Sequence, residues 1–195
     1  APKQSGNEFF NDTVVLYQTG QWIFTFHAND TSANNATPAI AQDGGSLSFI
    51  EVRDTTNPSI TNARINESSN VVLGRIVKVN ATVTDNVNIS NVTIQVDPPN
   101  ANPFNITAPK QLGNEFYNDT VVLNQTGQWI FTFHSNDTSA NNATPVIAQD
   151  GASNSYINVI DNTSPTVSNV RINASSNVAL NRIVKINATV TDDVA

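Results

Sequence analysis

Hydrophobic and polar residues alternate along several short segments of the chain. The clearest is residues 75–84, RIVKVNATVT, which places Val77, Val79, Ala81 and Val83 on one face. A period of two residues is typical of a β-strand that buries one face. Similar runs occur at residues 60–66, 91–97, 104–107, 116–123, 128–134 and 156–160. Because no segment has helical periodicity, the pattern predicts seven strands and no helix in this part of the chain.

Turn-forming residues separate these runs. Clusters of Asn, Asp, Gly, Pro and Ser lie between successive segments, where they favour changes of chain direction. Seven short strands of this kind within one segment of domain size favour an antiparallel β-sandwich. The sequence therefore predicts an all-β protein.

The sequence also repeats itself at an offset of 107 positions, so that residue 1 corresponds to residue 108. Residues 1–88 and 108–195 are identical at 66 of 88 positions, which indicates tandem duplication. Solenoid units run about 20 to 50 residues, whereas small β-sandwich domains have about 100. We therefore expect each repeat to be a complete domain.

Proline-containing junctions indicate where the repeats meet. The segments DTTNP from Asp54 and DNTSP from Asp161 each read as an extended connection after a strand. Boundaries at these positions make residues 1–53 the C-terminal part of one repeat. Residues 54–160 are then a complete repeat, and residues 161–195 are the N-terminal part of the next.

The two partial repeats, residues 1–53 and 161–195, can be compared with one complete repeat. Joined together, they lack the segment that corresponds to residues 89–107, which contains the alternating run 91–96. We expect that run to be an inner strand, so pairing partial repeats from two chains would leave a gap inside a sheet. The sequence therefore favours a window from a longer tandem array over head-to-tail complementation between chains.

The amino-acid composition argues against several classes of binding partner. Only 13% of the residues are charged, while the chain has 30 Asn, 21 Thr and 16 Ser, so we expect a neutral surface of amides and hydroxyls. The net charge is −7, and nine scattered Lys and Arg form no basic stripe for nucleic acid. Cysteine is absent, and no apolar run approaches the roughly 18 residues of a membrane span. We expect self-association and no nucleic acid, membrane span, small-molecule substrate or cofactor.

Several motifs together resemble the tandem immunoglobulin-like repeats of large archaeal and bacterial cell-surface proteins. The opening Asp-x-x-x-Pro is followed by NARIN and RIVKVNATVTDN, and QTGQWIFTFHANDTSANNAT is similar to the family's Gly-x-aromatic strand and Asn-rich turn. The resemblance implies seven-stranded antiparallel immunoglobulin-like β-sandwiches at an extracellular location. Trp22 and Trp129 fall where such sandwiches often place a Tyr that braces a corner.

The strongest chemical signal is the N-glycosylation acceptor pattern Asn-x-Ser/Thr. It occurs fifteen times, roughly two to three times the number expected by chance from the composition. The candidate acceptors are Asn11, Asn29, Asn66, Asn80, Asn88, Asn91, Asn105, Asn118, Asn124, Asn136, Asn173 and Asn187. Proline follows the hydroxyl residue at three further sites, which we expect to be poorer acceptors: Asn35, Asn142 and Asn162. We expect some of these sites to carry N-linked glycans.

Oxygen ligands for calcium form a second candidate site. A sandwich would bring Asp54, Asp85, Asp137 and Asn141 towards one pole, and calcium takes oxygen donors of this kind. The dense acidic motifs of calcium-binding junctions are absent, so we interpret these residues as solvated turn formers. We therefore predict that calcium is not bound.

Catalysis has no identifiable machinery in the sequence. His27 and His134 occupy the same repeat position and have no nucleophile nearby in sequence. We expect both histidines on an exposed strand face and predict that the protein is not an enzyme.

Three non-enzymatic roles fit such a chain. The first is a structural unit of a surface filament, sheath or S-layer, since one repeated domain with one repeated contact extends along an axis. The second is the spacer stalk of a large adhesin whose binding tip lies outside these residues. The third, a carbohydrate-binding module, would need a planar row of exposed aromatics, and the two Trp and three Tyr mostly have inward parity. The sequence favours the first role over the second and third.

Overall fold

The computed structural model describes residues 8–193 of the chain. These residues form fifteen β-strands and no helix. The prediction of an all-β protein is therefore confirmed.

The chain divides into two compact units. The smaller contains the residues up to Thr56 together with Thr138–Asn141, and the larger contains Asn57–Asp137 and the residues from Asn142 onwards. The smaller unit has the short strands β1 (Gly20–Trp22), β2 (Thr25–Phe26), β3 (Ala39–Ile40) and β4 (Ile50–Val52). Strand β1 pairs with β4 and β2 pairs with β3, both antiparallel.

Two sheets in the larger unit form a sandwich-like arrangement around one core. Their strands are β5 (Ser59–Ile65), β6 (Val71–Val72), β7 (Ile76–Thr84), β8 (Ile89–Asp97), β9 (Phe104–Thr107), β10 (Glu115–Val122), β11 (Gly127–Asp137), β12 (Val146–Ile147) and β13 (Ile157–Ile160). The first sheet has the order β10-β7-β5, and the second has the order β6-β13-β11-β8-β9, with β12 paired to β11. Inward side chains of both sheets belong to one buried cluster.

The period-two pattern explains how these strands reach the core. On β7, the predicted inner residues Val77, Val79, Ala81 and Val83 are all buried, while Ile76 is exposed. The alternation follows from strand geometry, since successive side chains point to opposite faces. Burying one face of each sheet stabilises the pair by about 25 cal/mol for each Å² of apolar surface removed from water.

The aromatic residues of β11 lie where the alternation predicts. Trp129, Phe131 and Phe133 are buried, and Ser135 continues the same inward row. The Trp129 indole Nε1–H donates to the backbone carbonyl of Gln125 over 3.0 Å. The N–H group of the buried indole therefore has its acceptor, and this hydrogen bond connects the turn before β11 to the strand.

A second pair of strands completes the described part of the larger unit. Strands β14 (Thr166–Ile172) and β15 (Ile186–Thr191) pair antiparallel. Their register shift between Ser168 and Arg171 matches the shift between Thr61 and Arg64 on β5. The repeat in sequence is therefore also a repeat in local structure.

The structure differs from the sequence prediction in two respects. Nine strands lie between residues 57 and 160 instead of seven, because β6 and β12 have only two residues each and show no periodicity. The prediction that loss of residues 89–107 would leave a gap inside a sheet is also wrong. Strands β8 and β9 together cover the predicted missing segment, and they lie side by side at one end of their sheet, so removing both would shorten that sheet.

Gly127, at the start of β11, carries a testable backbone constraint. Its φ is +116°, and a Cβ placed on it would lie 2.9 Å from the Cβ of Pro99. We expect Gly127→Ala to lower the free energy of unfolding by about 1–3 kcal/mol, because it combines an unfavourable φ with a close contact. Chemical denaturation would measure the loss. Gly151→Ala is the control, since its added Cβ meets only ordinary contacts at 3.8 Å or more, and an equal loss there would contradict the argument.

Candidate functional site

The glycosylation candidates lie on accessible parts of the chain. None of the fifteen acceptor asparagines is buried, and only Asn80, Asn118 and Asn136 are half-buried. An oligosaccharide must attach to the side-chain nitrogen, Nδ2, so accessibility is a necessary condition for modification. The predicted acceptors satisfy that condition, and their glycosylation stays a prediction.

The hydrogen bonds of Nδ2 divide these asparagines into two groups. Asn118 donates from Nδ2 to the backbone carbonyl of Thr107 over 3.1 Å, and Asn136 donates to the carbonyl of Asp137 over 3.3 Å. A glycan on either nitrogen replaces one of its two hydrogens and must fit beside the carbonyl to which that nitrogen donates. Asn105, by contrast, lies exposed on β9, the last strand of its sheet.

We expect the occupancy of the acceptors to follow this division. In material from its natural source, Asn105 should be modified to a larger fraction than Asn118 or Asn136. Mass spectrometry of glycopeptides would measure the three occupancies from one digest. Full occupancy of Asn118 and Asn136 with an unmodified Asn105 would contradict the prediction.

Asp54 and Asn141, two of the predicted calcium ligands, belong to the smaller unit. Asp54 is buried, its Oδ1 accepts the backbone N–H of Thr56 over 2.9 Å, and its carbonyl accepts from Nδ2 of Asn141 over 3.3 Å. The expectation of a solvated turn residue is therefore wrong for Asp54. Its carboxylate folds back on its own backbone, which supplies a donor in place of water.

Asp85 and Asp137, the other two, belong to the larger unit and lie close together. Their carboxylate oxygens are within 4.8 Å of each other, and Asp137 is buried, which again contradicts a solvated turn. One oxygen of Asp85 accepts from the N–H of Val87 over 2.9 Å, while the other is buried and has no hydrogen-bond partner among residues 8–193. Calcium takes oxygen ligands of this type. The prediction that calcium is not bound stays a prediction.

A related group of carboxylates recurs in the last repeat. Carboxylate oxygens of Asp161, Asp192 and Asp193 lie within 4.8 Å of one another, and all three residues are exposed. The Thr163 hydroxyl donates to Asp193 over 3.0 Å. Sequence reasoning missed this group, although the signal was present. Asp161 and Asp192 occupy the same repeat positions as Asp54 and Asp85.

Asp150 organises a buried polar network that sequence reasoning also missed. Its side chain is 1% exposed and accepts hydrogen bonds from both the N–H and the hydroxyl of Ser69. It also accepts from the N–H of Ala152, the N–H of Asn154 and Nδ2 of Asn154, over 2.8–3.0 Å. Burial by itself raises the pKa of Asp150, but these hydrogen bonds outweigh burial and hold the pKa well below its ordinary value. The ionised carboxylate therefore joins the loop before β13 to the segment before β6.

The two histidines differ in exposure, and the lysine of β7 contacts side chains of a neighbouring strand. His27 is exposed, whereas His134 is half-buried on β11, so the expected exposed face is found only for His27. Lys78 lies 3.0 Å from Oε1 of Glu115 and 3.9 Å from the centre of the Tyr117 ring. These contacts form a cross-strand ion pair and a cation–π contact between β7 and β10.

Comparisons with known proteins assign the chain to no family. The chain matches no protein-family model, and no curated protein sequence matches it significantly. Among residues 8–193, none belongs to a helix with the length and apolarity needed to cross a membrane.

Proposed function

We propose that the protein is a structural building block of an extracellular filament, sheath or S-layer made of tandem immunoglobulin-like domains. The tandem repetition of one sandwich-like unit carries this proposal, because residues 1–88 recur as residues 108–195 with 66 of 88 aligned positions identical. Near-identical units present near-identical surfaces. One favourable contact between such units can therefore recur along an axis and produce an extended assembly.

The chemistry of the surface supports an extracellular structural role. The exposed positions are rich in Asn, Thr and Ser, and the acceptor asparagines lie accessible on strands and loops. N-linked glycans on these positions would add hydrated bulk to the surface. Such a coat would protect a long array from proteolysis and from unwanted contacts between strand edges.

The polar side chains of the complete repeat, residues 54–160, which we call the central repeat, favour a structural role over catalysis. Asp150 accepts five hydrogen bonds that hold two loops together, and Lys78 pairs with Glu115 across two strands. In this proposal these groups stabilise the domain and bind no substrate.

Electron microscopy of the native, untagged protein at near-physiological salt tests the proposed function. The expected result is regular filaments or sheets with a constant repeat, lateral contacts and extra density at the acceptor asparagines. Separate flexible strings of domains without lateral contacts would overturn the proposal and favour the spacer stalk of an adhesin.

A further inference from the structure

A groove opens on one flank of the central repeat, where the two sheets end side by side. Strand β9 is the last strand of its sheet, and β10 is the last strand of the other. The Asn118 side chain of β10 donates from Nδ2 to the carbonyl of Thr107 on β9 over 3.1 Å. Between the same two strands lies a cavity of about 310 Å³. We name it the flank groove, and its lining includes Phe104, Ile106, Val122, Asn124, Gln125 and Trp129.

The groove exposes a side chain that the strand register directs inward. Phe104 and Ile106 lie opposite Val96 and Ile94 in the pairing of β9 with β8, and both of these partners are fully buried. Opposite residues of an antiparallel pair point to the same face of a sheet. Phe104 therefore faces the inner side, yet it is 46% exposed. Part of the apolar inner face of a whole domain thus remains open in the part of the chain that the structure describes.

The size and chemistry of the groove indicate a sugar as its occupant. Its volume is near the lower limit of small-molecule pockets, about 300 Å³, which suits one or two sugar rings better than a protein segment. The exposed ring of Phe104 offers an aromatic surface that the C–H face of a sugar can cover. The Gln125 side chain is held at the rim, since its Oε1 accepts the N–H of Asn100 over 3.1 Å. Its Nε2 can then donate to a sugar hydroxyl.

A glycosylation acceptor lies in the wall of this groove. Asn124 begins the acceptor motif Asn-Gln-Thr in the turn between β10 and β11, and it is exposed. No other acceptor asparagine among residues 8–193 lines the flank groove. A glycan on Asn124 would therefore begin at the groove, so its first sugar rings need no long linker to reach Phe104.

The duplicated sequence varies at this acceptor position. Residues 8–27 and 115–134 differ at only two positions, and at one of them Tyr17 stands in place of Asn124. In both copies of the turn the indole N–H donates to the carbonyl four residues earlier. The Tyr17 ring contacts Trp22, the counterpart of Trp129, edge to face with the ring centres 5.2 Å apart. One copy of the turn thus places an aromatic ring beside the tryptophan, where the other has an acceptor for a sugar.

We propose that Asn124 carries an N-linked oligosaccharide whose first sugar rings bind in the flank groove against Phe104. The glycan covers the open part of the inner face and stabilises the folded domain, in addition to any protection that it gives the surface. This inference rests on the extracellular location in the proposed function, and it assigns a structural role to one particular glycan.

The attachment is a group transfer from a lipid-phosphate-linked oligosaccharide, catalysed by a transferase. Nδ2 of Asn124 attacks the anomeric carbon of the first sugar, and the new N–C bond replaces the C–O bond to phosphate. The lipid phosphate leaves with the electron pair of the broken bond, and Nδ2 releases one of its two protons to solvent. The linked nitrogen keeps one N–H and remains an amide.

Stability measurements on the 195-residue chain, made in hosts with and without N-glycosylation, test this role. Thr126→Ala removes the acceptor motif of Asn124 and leaves the asparagine in place. In urea denaturation it should lower the folding equilibrium constant of the central repeat about three- to tenfold more in the glycosylated chain than in the unglycosylated one. Thr126→Ser keeps the motif and should behave like the unmodified chain.

Thr107→Ala is the matched control. It removes the motif of Asn105, an exposed acceptor on β9 that does not line the groove, and should have the same effect in both forms of the chain. Phe104→Ala removes the proposed contact surface, so in this variant the glycan on Asn124 should no longer stabilise the domain.

Two direct observations complete the test. Glycopeptide mass spectrometry should find Asn124 occupied in material from the natural source, and nuclear Overhauser contacts in the glycosylated chain should join protons of the first sugar to the Phe104 ring. An unmodified Asn124, no contact with Phe104, or equal effects of Thr126→Ala in both forms of the chain would overturn the inference. A Phe104 ring that is protected only in assembled filaments would also overturn it, in favour of a second copy of the chain as the occupant. Microscopy of native filaments tests the proposed structural role separately, so that role can stand if this inference fails.

Discussion

Replacing Phe133 by alanine is expected to lower the free energy of unfolding of the central repeat by about 3–5 kcal/mol. Phe133 lies on β11 with a fully buried side chain, and the core around it contains residues from both sheets. Removing the ring loses its transfer free energy and leaves a cavity that the surrounding β-structure can close only in part. Urea denaturation followed by circular dichroism would measure the loss.

The chain contains its own control for this substitution. Phe26 occupies the same position in the preceding repeat, within the identical segment QWIFTFH, but it is half exposed. Phe26→Ala should leave the free energy of unfolding of the central repeat within about 0.5 kcal/mol of that of the unmodified protein. Equal losses for both variants would show that sequence context, and not burial, sets the cost.

Replacing Asp150 by asparagine is expected to destabilise the central repeat by about 2–4 kcal/mol. An amide is nearly the same size as the carboxylate, but it has one acceptor oxygen and an NH₂ group that would face the donors of Ser69 and Asn154. Buried donors would then lose their acceptor and gain no water. The control is Asp119→Asn on the exposed part of β10, which should change stability by less than about 0.5 kcal/mol.

The same carboxylate gives the stability a pH dependence of definite sign. The folded state holds the pKa of Asp150 below its unfolded value, so its stabilisation is complete above that value and is lost as the pH falls towards the folded pKa. The unmodified protein should therefore lose stability from about pH 5 downwards. Asp150→Asn should show a shallower loss in that window. Identical pH profiles from denaturation at each pH would contradict this assignment.

Local periodicity explains how much of the fold could be predicted. The alternation of residues 75–84 and of the β11 aromatics identified the inner faces correctly, because strand geometry alone decides which side chains share a face. Strands β6 and β12 could not be found in this way. They are two residues long and exist through pairing with another strand, β6 with the distant β13 and β12 with the preceding β11.

The polar groups were harder to predict, for a related physical reason. Asp137 and Asp150 look like ordinary turn residues in the sequence, yet both are buried. The donors that make burial of Asp150 possible include Ser69, which lies 81 positions away. Only the tertiary fold brings such partners together, so a single sequence gives no local signal for them.

The parallel pairing of β6 with β13 determines how the central repeat responds to a pulling force. These strands lie near opposite ends of the repeat, and the N–H groups of Asn70 and Leu73 donate to the carbonyls of Asn158 and Ile160. When the two ends of the repeat are pulled apart, one strand is drawn backwards along the other. The hydrogen bonds between the two strands are then loaded together in shear, so they do not break one after another. In the proposed array, a domain closed in this way would resist unfolding when tension acts along the array.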